Sequence, residues 1–137
     1  MREILFRGKT EFNTWVTGSL IQVSNYCCIL SEDNGENYNY PYLDGELGTI
    51  DGMATPIQPE TIGQYTGLTD KNGTKIFEGD IIKIGNKIRF VFFGAAAYRH
   101  TNFGEYASDL TIKDANNCEV IGNIHDNLEL LKGGESL

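Results

Sequence analysis

The stretch Asp80-Ile81-Ile82-Lys83-Ile84-Gly85-Asn86-Lys87-Ile88-Arg89-Phe90-Val91-Phe92-Phe93 reads as two strands around one tight turn. Ile81 to Ile84 is short and β-branched. Gly85-Asn86 is a two-residue turn signal, and Lys87 to Phe93 answers as the second strand of a hairpin. Ile88, Phe90 and Phe92 fall on one face of that strand, and Arg89, Val91 and Phe93 on the other. The phenylalanines are expected to pack in a core. This hairpin sets the class of the whole chain as mainly β.

Upstream, Gly79-Asp80 marks a bend and Asp70-Lys71-Asn72-Gly73 a turn in which Asn72-Gly73 takes positive φ. Ile62 to Leu68 before it is short and bounded by turns. Further back, Glu3 to Arg7 reads as an opening strand, with Gly8 and Lys9 in a polar turn. Trp15 to Val23 and Tyr26 to Leu30 form a second hairpin around Ser24-Asn25. Pro56 and Pro59 discourage both a helix and a central strand over 53–59. Downstream, Ala95-Ala96-Ala97 has helical propensity bounded by Gly94 and Gly104. Leu110 to Lys113 and Cys118 to Ile124 read as strands, with Asn116-Asn117 as the turn between them. Asp126 to Leu131 reads as one helical turn with Asp126 as N-cap and Glu129 three residues on. The expectation is six to eight short strands, little helix, no fixed-period repeat and no βαβ alternation. That suits a small barrel or roll with an N-terminal β extension.

The chain has 137 residues and a net charge of −8. That length supports one domain, or one with a small addition, and buries about two thirds of the unfolded surface without a metal or disulfide staple. The charge is uneven. Residues 10–70 carry nine carboxylates and no Lys or Arg, whereas 71–137 carry eight basic and nine acidic groups. The middle stretch repels a phosphate backbone and attracts a cationic partner surface. No apolar run reaches a membrane span, and the N-terminus lacks the apolar core of a signal peptide. Three cysteines are an odd number, which favours a reducing compartment such as the cytoplasm.

Gln64-Tyr65-Thr66-Gly67-Leu68-Thr69-Asp70-Lys71-Asn72-Gly73-Thr74-Lys75-Ile76-Phe77-Glu78-Gly79-Asp80-Ile81-Ile82 resembles the signature of the YopX family, with Pro59-Glu60-Thr61-Ile62-Gly63 as its lead-in. Arg2-Glu3-Ile4-Leu5-Phe6-Arg7-Gly8-Lys9 with Trp15-Val16 is similar to the family's start. Glu119-Val120-Ile121-Gly122-Asn123-Ile124-His125-Asp126-Asn127 with Leu130-Leu131 is similar to its end. The resemblance implies a phage or prophage protein whose C-terminal part is an SH3-like β roll. It carries over no activity and no catalytic or ligand-binding residue. The resulting division is an N-terminal β region over 1–58 with an acidic loop at 31–52, a β roll over 59–132, and a tail over 133–137.

Each sharper chemical reading meets a structural explanation. From Asp70 the spacing fails as a calcium loop, because Ile81 stands where the twelfth-position carboxylate is needed. Glu78 and Asp80 share a strand face, but Gly79 between them favours a turn with solvated acids. Cys27 and Cys28 are adjacent and point to opposite faces of a strand, so they do not share one zinc; Cys28 and Cys118 suit buried small hydrophobes. His100 and His125 offer little for a Cys–His nucleophile pair. No nucleotide-binding glycine pattern occurs. No catalytic residue, metal site or cofactor is therefore expected, and the protein reads as a non-enzyme.

Two contact surfaces are expected instead. Tyr38, Tyr40 and Tyr42, with Asp44 and Glu46, form an aromatic acidic segment suited to a phage or host protein partner. Arg2, Arg7, Lys9, Lys83, Lys87 and Arg89 are candidate nucleic-acid contacts along one edge, with Tyr65, Phe90 and Phe92 as stacking rings. The leading expectation is a protein-interaction or assembly module. Nucleic-acid binding is the alternative, an unrecognised enzyme the third. Self-association through an uncovered edge is compatible with all of them.

Overall fold

The computed structural model describes residues 3–23, 26–30 and 54–133. The mainly β reading holds: among these residues lie eleven strands, one 3-10 turn and two five-residue helices. The strands form antiparallel sheets that stay open, with no closed barrel among the described residues. No helix among them is long and apolar enough to cross a membrane. The chain divides into two units, one running from Glu3 to Gln64 and the other from Tyr65 onward.

In the first unit the strands are β1 (Phe6–Lys9), β2 (Trp15–Val23), β3 (Tyr26–Leu30) and β4 (Ala54–Pro56), hydrogen-bonded in the order β4-β3-β2-β1. The first residues of β5 (Gly63–Thr69) pair beside β1, with Arg7 opposite Gly63. Gly8 lies within β1 and not in a turn. A Cβ on it would come 2.4 Å from Ile57 Cδ1, so a larger residue here would force the Ile57 side chain to move. The turn falls instead at 10–14, where Thr10 Oγ1 accepts from the backbone N–H groups of Phe12 and Thr14. β2 and β3 pair in register up to Val23 opposite Tyr26, as the hairpin reading requires; the two connecting residues lie outside the described ones. Pro56 sits on β4 at the outer end of the sheet, where no further ladder hydrogen bond is asked of it. Cys28 and Ala54 are buried against Ile21 and Leu30. The 3-10 turn Pro59–Thr61 is tied to β1 through Thr61 Oγ1, which accepts from Lys9 N at 2.8 Å.

In the second unit the rest of β5 pairs with β6 (Lys75–Phe77), with a register break between Tyr65 and Thr69. β7 (Asp80–Ile84), β8 (Lys87–Gly94), β9 (Ala97–Thr101), β10 (Ser108–Asp109) and β11 (Cys118–Asn123) form a sheet in the order β10-β9-β8-β7-β11. Ile84 pairs with Lys87 across Gly85-Asn86, the expected two-residue turn. Ile76, Ile82, Val91, Leu110, Ala115 and Cys118 make the core.

The phenylalanines of β8, expected in the core, are not its most buried residues. Val91 and Arg89 are buried, whereas Phe90 and Phe92 are half-buried on the opposite face and Phe93 is 54% exposed. Alternation fixes which residues share a face but not which face the chain covers. Three further expectations change. Ala95-Ala96 is not helical: both residues take positive φ, 52° and 64°, and form the two-residue turn between Gly94 and Ala97. Leu110 to Lys113 is not a strand. Thr111 caps helix α1 (Ile112–Asn116), accepting from Asp114 N while the Asp114 carboxylate accepts from Thr111 N. Helix α2 spans Glu129–Gly133, so Asp126 is not its N-cap; its carboxylate accepts from Asn123 Nδ2 instead.

Candidate functional site

The turns that carry the family resemblance are closed systems. Asp70 Oδ1 accepts from the N–H groups of Asn72 (2.8 Å) and Thr74 (2.9 Å), and Oδ2 from Val120 N (2.9 Å). Burial opposes the charge on this carboxylate, but the bonds from Val120, Thr74 and Asn72 outweigh it and hold its pKa below the ordinary value. Three of the carboxylate's roughly four acceptor positions are thus filled by backbone N–H groups of its own fold. Asp80 is buried, not solvated as expected, and accepts from Phe77 N at 2.7 Å. Asn123 Oδ1 accepts from His125 N and Asp126 N, and Asn127 Oδ1 accepts from Asn123 N. Gly122 clears the way for that amide, since a Cβ there would lie 2.6 Å from Asn127 Oδ1.

A cleft of about 900 Å³ opens elsewhere in the second unit, lined among others by Lys87, Arg89, His100, Glu105, Tyr106 and Asp114. β8 supplies Arg89 and β9 supplies His100, neighbours on the inward face because Val91 lies opposite His100 and Ile82 opposite Arg89. Arg89 Nε donates to His100 Nδ1 at 2.9 Å. Its Nη2 donates to the carbonyls of His100 and Tyr106, both at 2.9 Å, and its Nη1 to the Glu105 carboxylate. Because Nδ1 accepts, the ring proton sits on Nε2, 3.2 Å from Asp114 Oδ2. Burial works against the Asp114 charge, but hydrogen bonds from His100 and Thr111 outweigh it and keep the carboxyl below its ordinary pKa.

This cluster binds the 102–107 segment to the sheet. A nucleophile pair needs one imidazole nitrogen facing a hydroxyl or thiol. Here one nitrogen faces a guanidinium and the other a carboxylate. Two of the three thiols are buried and made less acidic. Burial, then the Asp70 and Asp114 carboxylates, push Cys118 up to about 11, and burial followed by Cys27 raises Cys28. Among the described residues no three His, Cys, Asp or Glu side chains gather where they would hold a metal ion.

The candidate nucleic-acid residues among the described ones are divided between the two units. Arg89 is buried with its guanidinium engaged as above. Lys83 stands across from Glu119 on β11, and Lys87 lines the cleft. Arg7 and Lys9 belong to the first unit, where their cationic groups lie 4.7 Å and 5.8 Å from the centroid of the Trp15 ring. Arg2 lies outside the described residues, as do Tyr38, Tyr40, Tyr42, Asp44 and Glu46. Tyr65 stacks on Phe77 inside the second unit.

What sequence reasoning missed is the outward surface of the β8–β9 hairpin. Phe90 packs against Phe92 at 6.0 Å and Phe103 at 5.9 Å, and Phe103 is 58% exposed. On the opposite face, beside Val91, Phe93 meets Tyr98 edge-on at 5.1 Å. The signal was present in residues 90–98, Phe-Val-Phe-Phe-Gly-Ala-Ala-Ala-Tyr, which carry no charge and more bulk than one face of one strand can bury.

These features define a class: a two-unit antiparallel β protein whose signature residues are turn staples and whose unclaimed surface is aromatic. The sequence matches the family described as YopX protein over residues 5–132, and the chain belongs to that family. Among solved structures it is similar to protein EF1440 from Enterococcus faecalis, with a TM-score of 0.55 and 21% identity over 96% of this chain and 99% of that one. At that identity the likeness concerns the fold. No curated protein matches the sequence.

Proposed function

We propose that this chain is a non-catalytic phage or prophage protein that works inside the bacterial host as a protein-interaction or assembly module. The observation that carries the reading is the pair of exposed rings at the β8–β9 hairpin, Phe93 on the face of Val91 and Phe103 against Phe90 on the other face, each more than half exposed. Exposed aromatic clusters of this kind mark protein contacts more often than chemistry. The closed hydrogen bonding of His100 and Asp114 supports a role without catalysis. Capture from host and phage lysates on immobilised protein tests it. A specific partner retained by the parent and lost from the Phe93→Asp, Phe103→Asp double variant is the expected result; equal capture by both refutes it. Deleting residues 33–48 in parallel tests the tyrosine-bearing segment as a second contact.

Nucleic-acid binding is supported by one feature, the pair of cations over Trp15. The chain has a single tryptophan, so its fluorescence reports that spot alone. Titration with single-stranded DNA and RNA at two salt concentrations should quench it in a salt-sensitive way if this reading holds. An unchanged signal removes it.

A further inference from the structure

We infer that Asn72-Gly73 is a latent self-modification site: the asparagine converts to aspartate or isoaspartate once the Asp70 turn opens, and is held unreacted while the turn is closed. This is independent of the interaction-module reading.

The chemistry belongs to the dipeptide. The Gly73 nitrogen attacks Cγ of the Asn72 side chain and bonds to it. The amide proton passes to water, and the side-chain nitrogen leaves as ammonia. Water then opens the five-membered ring at either carbonyl, giving aspartate or isoaspartate. A glycine after the asparagine has no side chain to hinder the attack. Asn72 and Gly73 are both exposed, so water reaches them. A Cβ on Gly73 would meet nothing within 4 Å. Among the described residues, no hydrogen bond holds the Asn72 carboxamide.

What restrains the pair is therefore the backbone. Asn72 N donates to Asp70 Oδ1 at 2.8 Å, and Thr74 N donates to the same oxygen at 2.9 Å. Gly73 N donates to the Asp70 carbonyl at 3.0 Å, and Asp70 N to the Thr74 carbonyl at 2.8 Å. To react, the Gly73 nitrogen must lose its proton and turn towards Cγ. In the closed turn that proton is engaged on the Asp70 carbonyl. The Asp70 carboxylate alongside also opposes a second negative charge. Reaction thus waits on local opening of the turn. Asp70 is itself tied to β11 through Val120 N, so the restraint is complete only with that strand in place.

The product does not restore the turn. Isoaspartate routes the main chain through side-chain carbons, which adds an atom to the turn and displaces Gly73 N from the Asp70 carbonyl. Aspartate sets a second carboxylate two positions along from the first. Asn72 thereby records, irreversibly, the time the second unit has spent open.

Peptide mapping of the full-length protein by mass spectrometry, after incubation at mildly alkaline pH, tests this. Exchange of the side-chain NH2 for OH at position 72 should be much slower in the folded parent than in the parent held in guanidinium chloride. That comparison needs no variant. Asp70→Asn keeps one acceptor oxygen and should convert about tenfold faster than the folded parent, the change in local opening expected from losing one hydrogen bond to a charged acceptor. Chains isolated with isoaspartate at 72 should exchange the Thr74 and Val120 amides faster than the parent. Equal conversion in folded and denatured parent, or a folded Asp70→Asn variant that converts no faster, overturns the inference. Unchanged amide exchange in the isoaspartate chains overturns its irreversible step.

Discussion

Two turns in the second unit reverse antiparallel strands by opposite means. At 70–74 the left-handed position is filled by Gly73, φ 83°, and the Asp70 carboxylate collects three backbone N–H groups. At 94–97 the left-handed positions are filled by Ala95 and Ala96. The contrast extends to the surrounding sequence. The stretches resembling the family signature follow local chemistry closely: glycine where space or φ demands it, Asp and Asn where orphan donors gather. The stretch from Lys87 to Tyr106 breaks those rules repeatedly, with a buried arginine, outward phenylalanines and alanines in a glycine conformation. Where a sequence departs from local preference without collapsing, function is the usual reason.

The sharpest way to break the comparison is Asp70→Ala. It strands donors on Asn72, Thr74 and Val120, and should lower the stability of the second unit by about 3 kcal/mol in denaturant titration. A loss within ordinary surface scatter would make the signature turn no stiffer than the alanine one. Arg89→Met keeps much of the side-chain volume but releases the Glu105 and Tyr106 contacts. A loss of about 2 kcal/mol is expected, concentrated in faster amide exchange over 102–107. Exchange spread evenly over the sheet would mean that Arg89 supports the core and not the segment above the cleft.

Acid should weaken the protein by a smaller, graded amount. The Asp70 carboxyl is held below its ordinary value in the folded chain. Its contribution is therefore complete above the unfolded value of about 3.9 and disappears as pH falls through the folded one. Asp114 acts in the same sense. Asp70→Asn should flatten the acid limb of the stability profile; an unchanged limb would transfer the effect to other carboxylates. The smallest effect has the opposite sign. Ala95→Asn with Ala96→Gly should raise stability by about 1 kcal/mol by removing strain at the tip.

The contrast also explains what was legible in the sequence. The Gly85-Asn86 and Asp70–Gly73 turns and the strands around them follow from φ preference and β-branching, which act within a few residues. The inward face of β8 does not, because Phe90 and Val91 are equally apolar and only neighbouring strands decide between them. Parity already placed Arg89 beside Val91. Choosing that face would have required buried acceptors for the guanidinium, and these come from His100, Glu105 and Tyr106, eleven to seventeen residues away. The capping box at Thr111 and Asp114 was readable and was masked by the β-prone Leu110 and Ile112.

The bond from Val120 N to the Asp70 carboxylate spans fifty residues of chain. During synthesis the Asp70 hairpin emerges long before the strand that completes it. For that interval the carboxylate has only its own turn to serve, and one side of β7 waits uncovered. Closure of such a distant pairing comes late and slowly. The second unit is thus built to finish folding only when its last strand has left the ribosome, and in that window its bare strand is open to chaperones.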